Sequence, residues 1–155
     1  MTMPTFVLTD AKAPGTVPTA ALRGVVRHQG VVGICVAQMW DSLDTDPEFA
    51  TMQAVLDVCR SEGKLFAGRF RAGRHTPPEY RGRDWVPERG HAKGMTLPCP
   101  FDTDGTVNMT FINAYRRFVW AWRRWAEARL RSGDILHYSQ FGGASAEFYC
   151  PRRGA

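Results

Sequence analysis

A continuous apolar run occupies residues 31–37, where the chain reads Val31-Val32-Gly33-Ile34-Cys35-Val36-Ala37. An apolar run of this length without alternation is typical of a strand that is covered on both faces, as in a parallel sheet. Gly30 stands directly before it and ends a weak helical pattern over residues 19–28. The run therefore predicts a central strand in an α/β domain.

Helical and strand patterns alternate on both sides of this central strand. Shorter apolar segments predict three more strands, at residues 5–9, 64–71 and 134–139. Apolar residues at three- and four-residue spacing predict two more helices, one ending at Gly63 and one ending at Gly133. The order β-α-β-α-β, long loop, α-β favours about four parallel strands joined by right-handed crossovers. Two architectures fit this order, an open doubly wound sheet and a segment of a barrel.

The helix that follows the central strand has a clear start signal in the sequence. Asp46 is a good N-cap, Pro47 suits the first turn, and Glu48 favours the positive end of the helix dipole. Phe49 and Val55 belong to the apolar stripe that follows. We therefore expect this helix to begin at residues 46–47.

Composition points to one globular domain over residues 1–155. The chain is 44% hydrophobic and 23% charged, with a net charge of +5, which argues against disorder. It has no apolar stretch of about 18 residues and no basic-then-apolar start, so we expect no membrane span, no secretory signal and a cytoplasmic or virion-associated protein. Its cysteines lack C-x-x-C spacing, so we expect reduced thiols, no metal and no cofactor.

Residues 72–107 break the alternation with a long stretch rich in Gly, Pro, Arg and aromatic residues. A loop of this length in a small domain is often functional. The chain lacks G-x-G-x-x-G after the first strand and lacks a P-loop, which removes the main support for nucleotide binding.

Four short motifs lie in the segments that follow the predicted strands. They are Gln38-Met39-Trp40-Asp41 after the second strand, Arg74-His75-Thr76-Pro77 after the third, Leu97-Pro98-Cys99-Pro100-Phe101-Asp102 before the long helix, and Ser145-Ala146-Glu147 after the fourth. This succession resembles the (β/α)8-barrel glycoside hydrolases of the large retaining clan, closest to its β-galactosidase-like branch. The resemblance implies the N-terminal half of a TIM-type barrel, with helices outside and 72–107 as a loop on the active face.

The same resemblance implies site residues. Glu147 corresponds to the general acid/base after strand four, although Ser145-Ala146 precedes it where the clan usually has Asn. The residues expected to bind substrate are Trp40, Arg74, His75 and Asp102. The clan's nucleophile follows strand seven, so we expect the second carboxylate to come from outside these four strands, and the enzyme to need completion by a second half.

Other interpretations stay open. Trp40 is either a platform for a sugar or a packing residue beneath the loops, and Glu147 is either an acid/base or an exposed loop glutamate. The alternatives to a hydrolase are a non-catalytic carbohydrate-binding or structural module and a truncated gene product. The partner that completes the barrel is either a second copy or a complementary chain.

A basic and aromatic run at residues 116–125 has a nucleic-acid interpretation. Its helical periodicity instead places Phe118, Trp122 and Trp125 on the core side and the arginines in solvent. We therefore expect no nucleic-acid partner. Trp120 falls among the arginines, where it either lies under their side chains or marks an interface.

Overall fold

The computed structural model of the chain describes residues 5–11, 17–40, 48–71, 77, 84–85, 97–98 and 104–139. The elements in chain order are β1 (Thr5–Ala11), α1 (Thr19–Val26), β2 (Val31–Met39), α2 (Ala50–Ser61), β3 (Leu65–Arg71), β4 (Asp84–Trp85), β5 (Leu97–Pro98), α3 (Met109–Glu127) and β6 (Ile135–Ser139). The predicted alternation of strands and helices is confirmed.

Four strands form a parallel sheet in the order β1-β2-β3-β6. Neighbours in the sheet are therefore also successive strands of the α/β alternation. The short strands β4 and β5 pair antiparallel with each other in a separate sheet. This small hairpin lies inside residues 72–107, where the sequence predicted only a loop.

All three helices pack against one face of the sheet. Ile34 and Val36 of β2 and Phe66 of β3 are fully buried on that face. They form one cluster with the buried residues of the helices, which include Leu22 and Val26 of α1, Met52, Val55, Leu56 and Cys59 of α2, and Phe111, Phe118, Trp122 and Trp125 of α3. Burying each large apolar side chain stabilises the fold by about 1.5–3 kcal/mol, so this layer is the core.

The start of α2 corrects the sequence prediction. The helix begins at Ala50, with Phe49 as the N-cap residue, and Asp46 and Pro47 lie outside the described residues. Phe49 has a left-handed backbone with φ of 57°, and its side chain is buried against Phe118 and Trp125. A residue with a left-handed backbone cannot lie inside a right-handed helix, so α2 starts after Phe49. Packing of the Phe49 ring in the core therefore outweighs the local capping signal of Asp46 and Pro47.

The end of α2 and the start of α3 agree with the sequence. Gly63 adopts φ of 65° just beyond the C-cap residue of α2, a conformation that favours glycine. Asn108 caps α3, and its side-chain oxygen accepts a hydrogen bond from the amide of Phe111 at 3.0 Å. The predicted apolar stripe of α3 is confirmed, since Phe118, Trp122 and Trp125 are all buried.

A buried ion pair joins α2, β3 and β6 at the amino ends of the strands. The Asp134 carboxylate accepts hydrogen bonds from both terminal nitrogens of Arg60, from the Phe66 amide at 2.9 Å and from the Arg131 amide at 2.8 Å. Burial works to raise the pKa of Asp134, but these bonds together lower it to about 2. The carboxylate therefore stays charged and ties three elements together.

None of the helices that the structure describes is both long enough and apolar enough to cross a membrane.

Candidate functional site

On the second face of the sheet, opposite the helices, the residue types change from apolar at the amino end of the strands to polar at the carboxyl end. At the amino end, the Phe6 ring lies directly over Gly33. The next row in register consists of apolar or small residues on all four strands, Leu8, Cys35, Ala67 and Ile135. Leu8 and Ile135, on the two edge strands, are exposed.

The following row in register contains three residues of ionisable type. Asp10 pairs in register with Ala37, Ala37 with Arg69, and Arg69 with His137. The next row joins Met39, Arg71 and Ser139. Because neighbouring strands lie about 4.8 Å apart, these rows bring an aspartate, two arginines and a histidine to one end of the sheet.

This end is the carboxyl end of the strands, where α/β proteins bind their ligands. Arginine offers several N–H donors in a fixed plane, aspartate offers acceptor oxygens, and histidine exchanges a proton near neutral pH. Such a set suits a ligand with several hydroxyl or carboxylate groups. We call the two rows that contain Arg69 and Arg71 the carboxyl-end rows.

Sequence reasoning missed these residues. His137 had no partner at metal-ligand spacing, and Asp10 and Arg69 lie in predicted strands far apart in the chain. The available signal was the alternation of Arg69 and Arg71 within an apolar strand, which places both on one face. Their partners become visible only with the register of the sheet.

Trp40 is the predicted site residue that the structure describes. Its side chain is 2% exposed at the end of β2. The ring stacks on Phe118, with centroids 6.0 Å apart, and meets Phe111 and Tyr115 edge-on at 5.5 and 5.4 Å. A ring held in this way has no free face for a sugar, so its geometry favours the packing alternative.

The other predicted site residues, Arg74, His75, Asp102 and Glu147, lie outside the described residues. In the chain, Arg74 and His75 come after β3 and Glu147 comes after β6.

A recess of about 530 Å³ lies between α2 and α3, away from the sheet. Arg129 borders the recess and makes three contacts there. Its Nε donates to Gln53 at 2.8 Å, its Nη1 donates to the Trp125 carbonyl at 3.3 Å, and its guanidinium lies 5.5 Å from the Trp125 ring centroid. These contacts join two helices, and we assign the recess to helix packing.

The described thiols and carboxylates give no sign of a metal or nucleophile site. Neither Cys35 nor Cys59 forms a disulfide, and burial raises the pKa of Cys59 to about 11, which disfavours a reactive thiolate. In the part of the chain that the structure describes, no three His, Cys, Asp or Glu residues gather where they could hold a metal ion.

Comparison of the chain with protein-family models, with curated proteins and with solved structures finds no match.

Proposed function

We propose that this chain is half of a (β/α)8 barrel that binds or cleaves carbohydrate at the carboxyl end of its strands, with Glu147 as the general acid/base. The observation that carries the proposal is the sheet order β1-β2-β3-β6, all parallel, with the three helices that the structure describes on one face. In this assignment β6 is the fourth barrel strand, and the β4–β5 hairpin is an insertion in the loop after the third.

The strand order supports this proposal over an open doubly wound sheet. A doubly wound sheet reverses its order at a switch point and carries helices on both faces. A barrel adds each new strand beside the last and keeps all helices outside. The second face would then line the barrel interior, with an apolar layer of Leu8, Cys35, Ala67 and Ile135 beneath the carboxyl-end rows.

The chemistry proposed for Glu147 follows from its position after the fourth strand. Glycosidic bond cleavage needs one carboxyl group that protonates the leaving oxygen and a second that attacks the sugar or activates water. Glu147 would be the first group. The second would come from a segment or chain that supplies the remaining strands. Arg69 of β3 and His137 of β6 are paired in register, and we assign to them the binding of sugar hydroxyl groups.

Turnover of Glu147→Gln tests the catalytic part of the proposal. Chromogenic aryl glycosides and natural oligosaccharides are incubated with the wild-type protein, with Glu147→Gln and with the matched control Glu62→Gln, whose carboxylate pairs with Arg27. Because the second carboxylate comes from outside this chain, we expect hydrolysis when the protein is completed by its second half. In that assembly the control should match the wild type, and Glu147→Gln should lose at least about a hundredfold in turnover.

Two results would count against this function. Unchanged turnover in Glu147→Gln would overturn the acid/base assignment. A wild-type protein that neither hydrolyses nor binds any saccharide would overturn the carbohydrate proposal as a whole. Saturable binding without hydrolysis would instead assign the non-catalytic carbohydrate-binding role.

A further inference from the structure

The outward side of α3 has an exposed tryptophan at its centre. Trp120 is 52% exposed, although Phe118 and Trp122, two positions away on either side, are buried in the core. On a helix, the surface neighbours of a residue are those three and four positions away. For Trp120 these neighbours are all arginines, Arg116, Arg117, Arg123 and Arg124, and all are exposed.

One of these arginines holds the indole ring in place. The Arg123 guanidinium lies 5.1 Å from the ring centroid of Trp120, and its Nε donates to Glu127 at 2.6 Å. Both ends of this ion pair are about half exposed, so it adds little to stability. The arrangement fixes the orientation of an exposed ring that the core does not use.

A second apolar side chain lies on the same stripe of α3. Met109 is 55% exposed and precedes Trp120 by about three helical turns, which places both on one side of the helix. We use the name Trp120 face for Met109, Arg116, Arg117, Trp120, Arg123 and Arg124. It combines two apolar anchors with four positive charges.

We propose that the Trp120 face docks an acidic protein segment, whose carboxylates pair with the arginines while an apolar side chain covers the Trp120 ring. Trp and Arg are the residues that most often dominate protein interfaces. Arginine binds carboxylates in a planar, two-bond geometry. Glu127 offsets one of the four arginine charges, so the Trp120 face stays positive and favours an anionic partner.

The same observations disfavour other occupants. Two copies of this face would bring like charges together. A single-stranded nucleic acid needs successive stacking rings, and Trp120 is the exposed aromatic ring of α3. A membrane-surface helix inserts its apolar side, but the apolar side of α3, with Phe118 and Trp122, is already in the core.

Fluorescence anisotropy with labelled probes tests this docking. The probes are a helical peptide of glutamate and leucine, the same peptide with glutamine for each glutamate, and a single-stranded oligonucleotide. The protein variants are Trp120→Ala, Arg116→Glu and the control Arg23→Glu, which makes the same charge change at an exposed position of α1. Far-UV circular dichroism checks that each variant stays folded.

We expect the acidic peptide to bind and the glutamine peptide not to bind. Trp120→Ala should weaken binding by about tenfold and Arg116→Glu by at least as much, while Arg23→Glu stays near wild type. The proposal is overturned if the acidic peptide fails to bind, or if Arg23→Glu loses as much affinity as Arg116→Glu. Tighter binding of the oligonucleotide, lost in Trp120→Ala, would also overturn it and indicate a nucleic-acid interface.

Discussion

Trp40 and Phe118 stack almost parallel, with their ring planes 9° apart. Trp40 follows the last residue of β2, and Phe118 lies in the middle of α3. The contact therefore joins the carboxyl end of the central strand to a helix nearly eighty residues later in the chain. Trp40 is therefore a packing contact between the end of β2 and α3.

Trp40→Ala should destabilise the fold rather than remove a sugar contact alone. Deleting a buried indole leaves a cavity and costs about 3–5 kcal/mol of unfolding free energy. Urea denaturation followed by circular dichroism measures the change. Trp120→Ala is the matched control, because its ring is half exposed and should change stability by less than about 1 kcal/mol. Equal stability of Trp40→Ala and wild type would contradict the assignment of Trp40 to the core.

Asp134→Asn should be among the most damaging single-atom changes in the chain. The Asp134 side chain is 1% exposed, and removing its charge leaves Arg60 partly buried without its counterion. We expect a loss of about 3 kcal/mol in unfolding free energy. Asp57→Asn, at an exposed position of α2, is the control and should stay within about 0.5 kcal/mol of wild type.

The same carboxylate predicts a dependence of stability on pH. The pKa of Asp134 falls from its ordinary 3.8 to about 2 in the folded protein. A lowered pKa in the folded state stabilises the protein above the unfolded value, and that stability is lost as the pH falls from about 4 through about 2. The contribution is about 2 kcal/mol. Thermal melts across this range should show a steeper fall for wild type than for Asp134→Asn, and parallel curves would contradict the pairing.

Two glycines should respond to alanine in opposite ways. A Cβ at Gly33 would lie closer than 3.0 Å to the carbonyl oxygen of Leu65 and to the Phe6 ring. Gly33→Ala should therefore cost about 1–3 kcal/mol through forced backbone shifts. Gly24, inside α1, has open space around its position, so Gly24→Ala should stabilise by about 0.5–1 kcal/mol. Denaturant midpoints that move in the same direction for both would contradict the close packing of β1 and β3 against Gly33.

The alternation of strands and helices was readable from the sequence because each element follows its own hydrophobic period. The run at 31–37 and the stripe of Phe118, Trp122 and Trp125 both appear as predicted. The start of α2 was not readable in this way. Asp46 and Pro47 are good local signals, but the buried ring of Phe49 imposes a left-handed backbone. Tertiary packing decided that boundary.

The candidate site was harder to predict from the sequence, because the residues of the carboxyl-end rows are aligned only by the register of the strands. Asp10, Arg69 and His137 are spread over three strands, and only the pairing of those strands aligns them. For Trp40, the sequence identified the residue but did not distinguish between its two roles. An aromatic residue after a strand is the same in sequence whether it faces a ligand or the core, and its neighbours Phe111 and Tyr115 come from a distant helix.

The exposed tryptophan is an intermediate case. Helical periodicity placed Trp120 among the arginines, and one of the two roles considered for it was a ring beneath arginine side chains. The contact of Arg123 with the Trp120 ring confirms that role. The other role, an interface, is the docking that we propose for the Trp120 face.

The most direct test of the account is a titration of isotopically labelled protein with a panel of oligosaccharides, followed by amide chemical shifts. If the carboxyl end of the sheet binds carbohydrate, the amides of Ala37, Arg69 and His137 should shift in a saturable way. The amides of Leu8 and Ile135, in the apolar row, should move little. Saccharide-induced shifts confined to the helices, or no shift with any saccharide, would contradict a carbohydrate site at this end of the sheet.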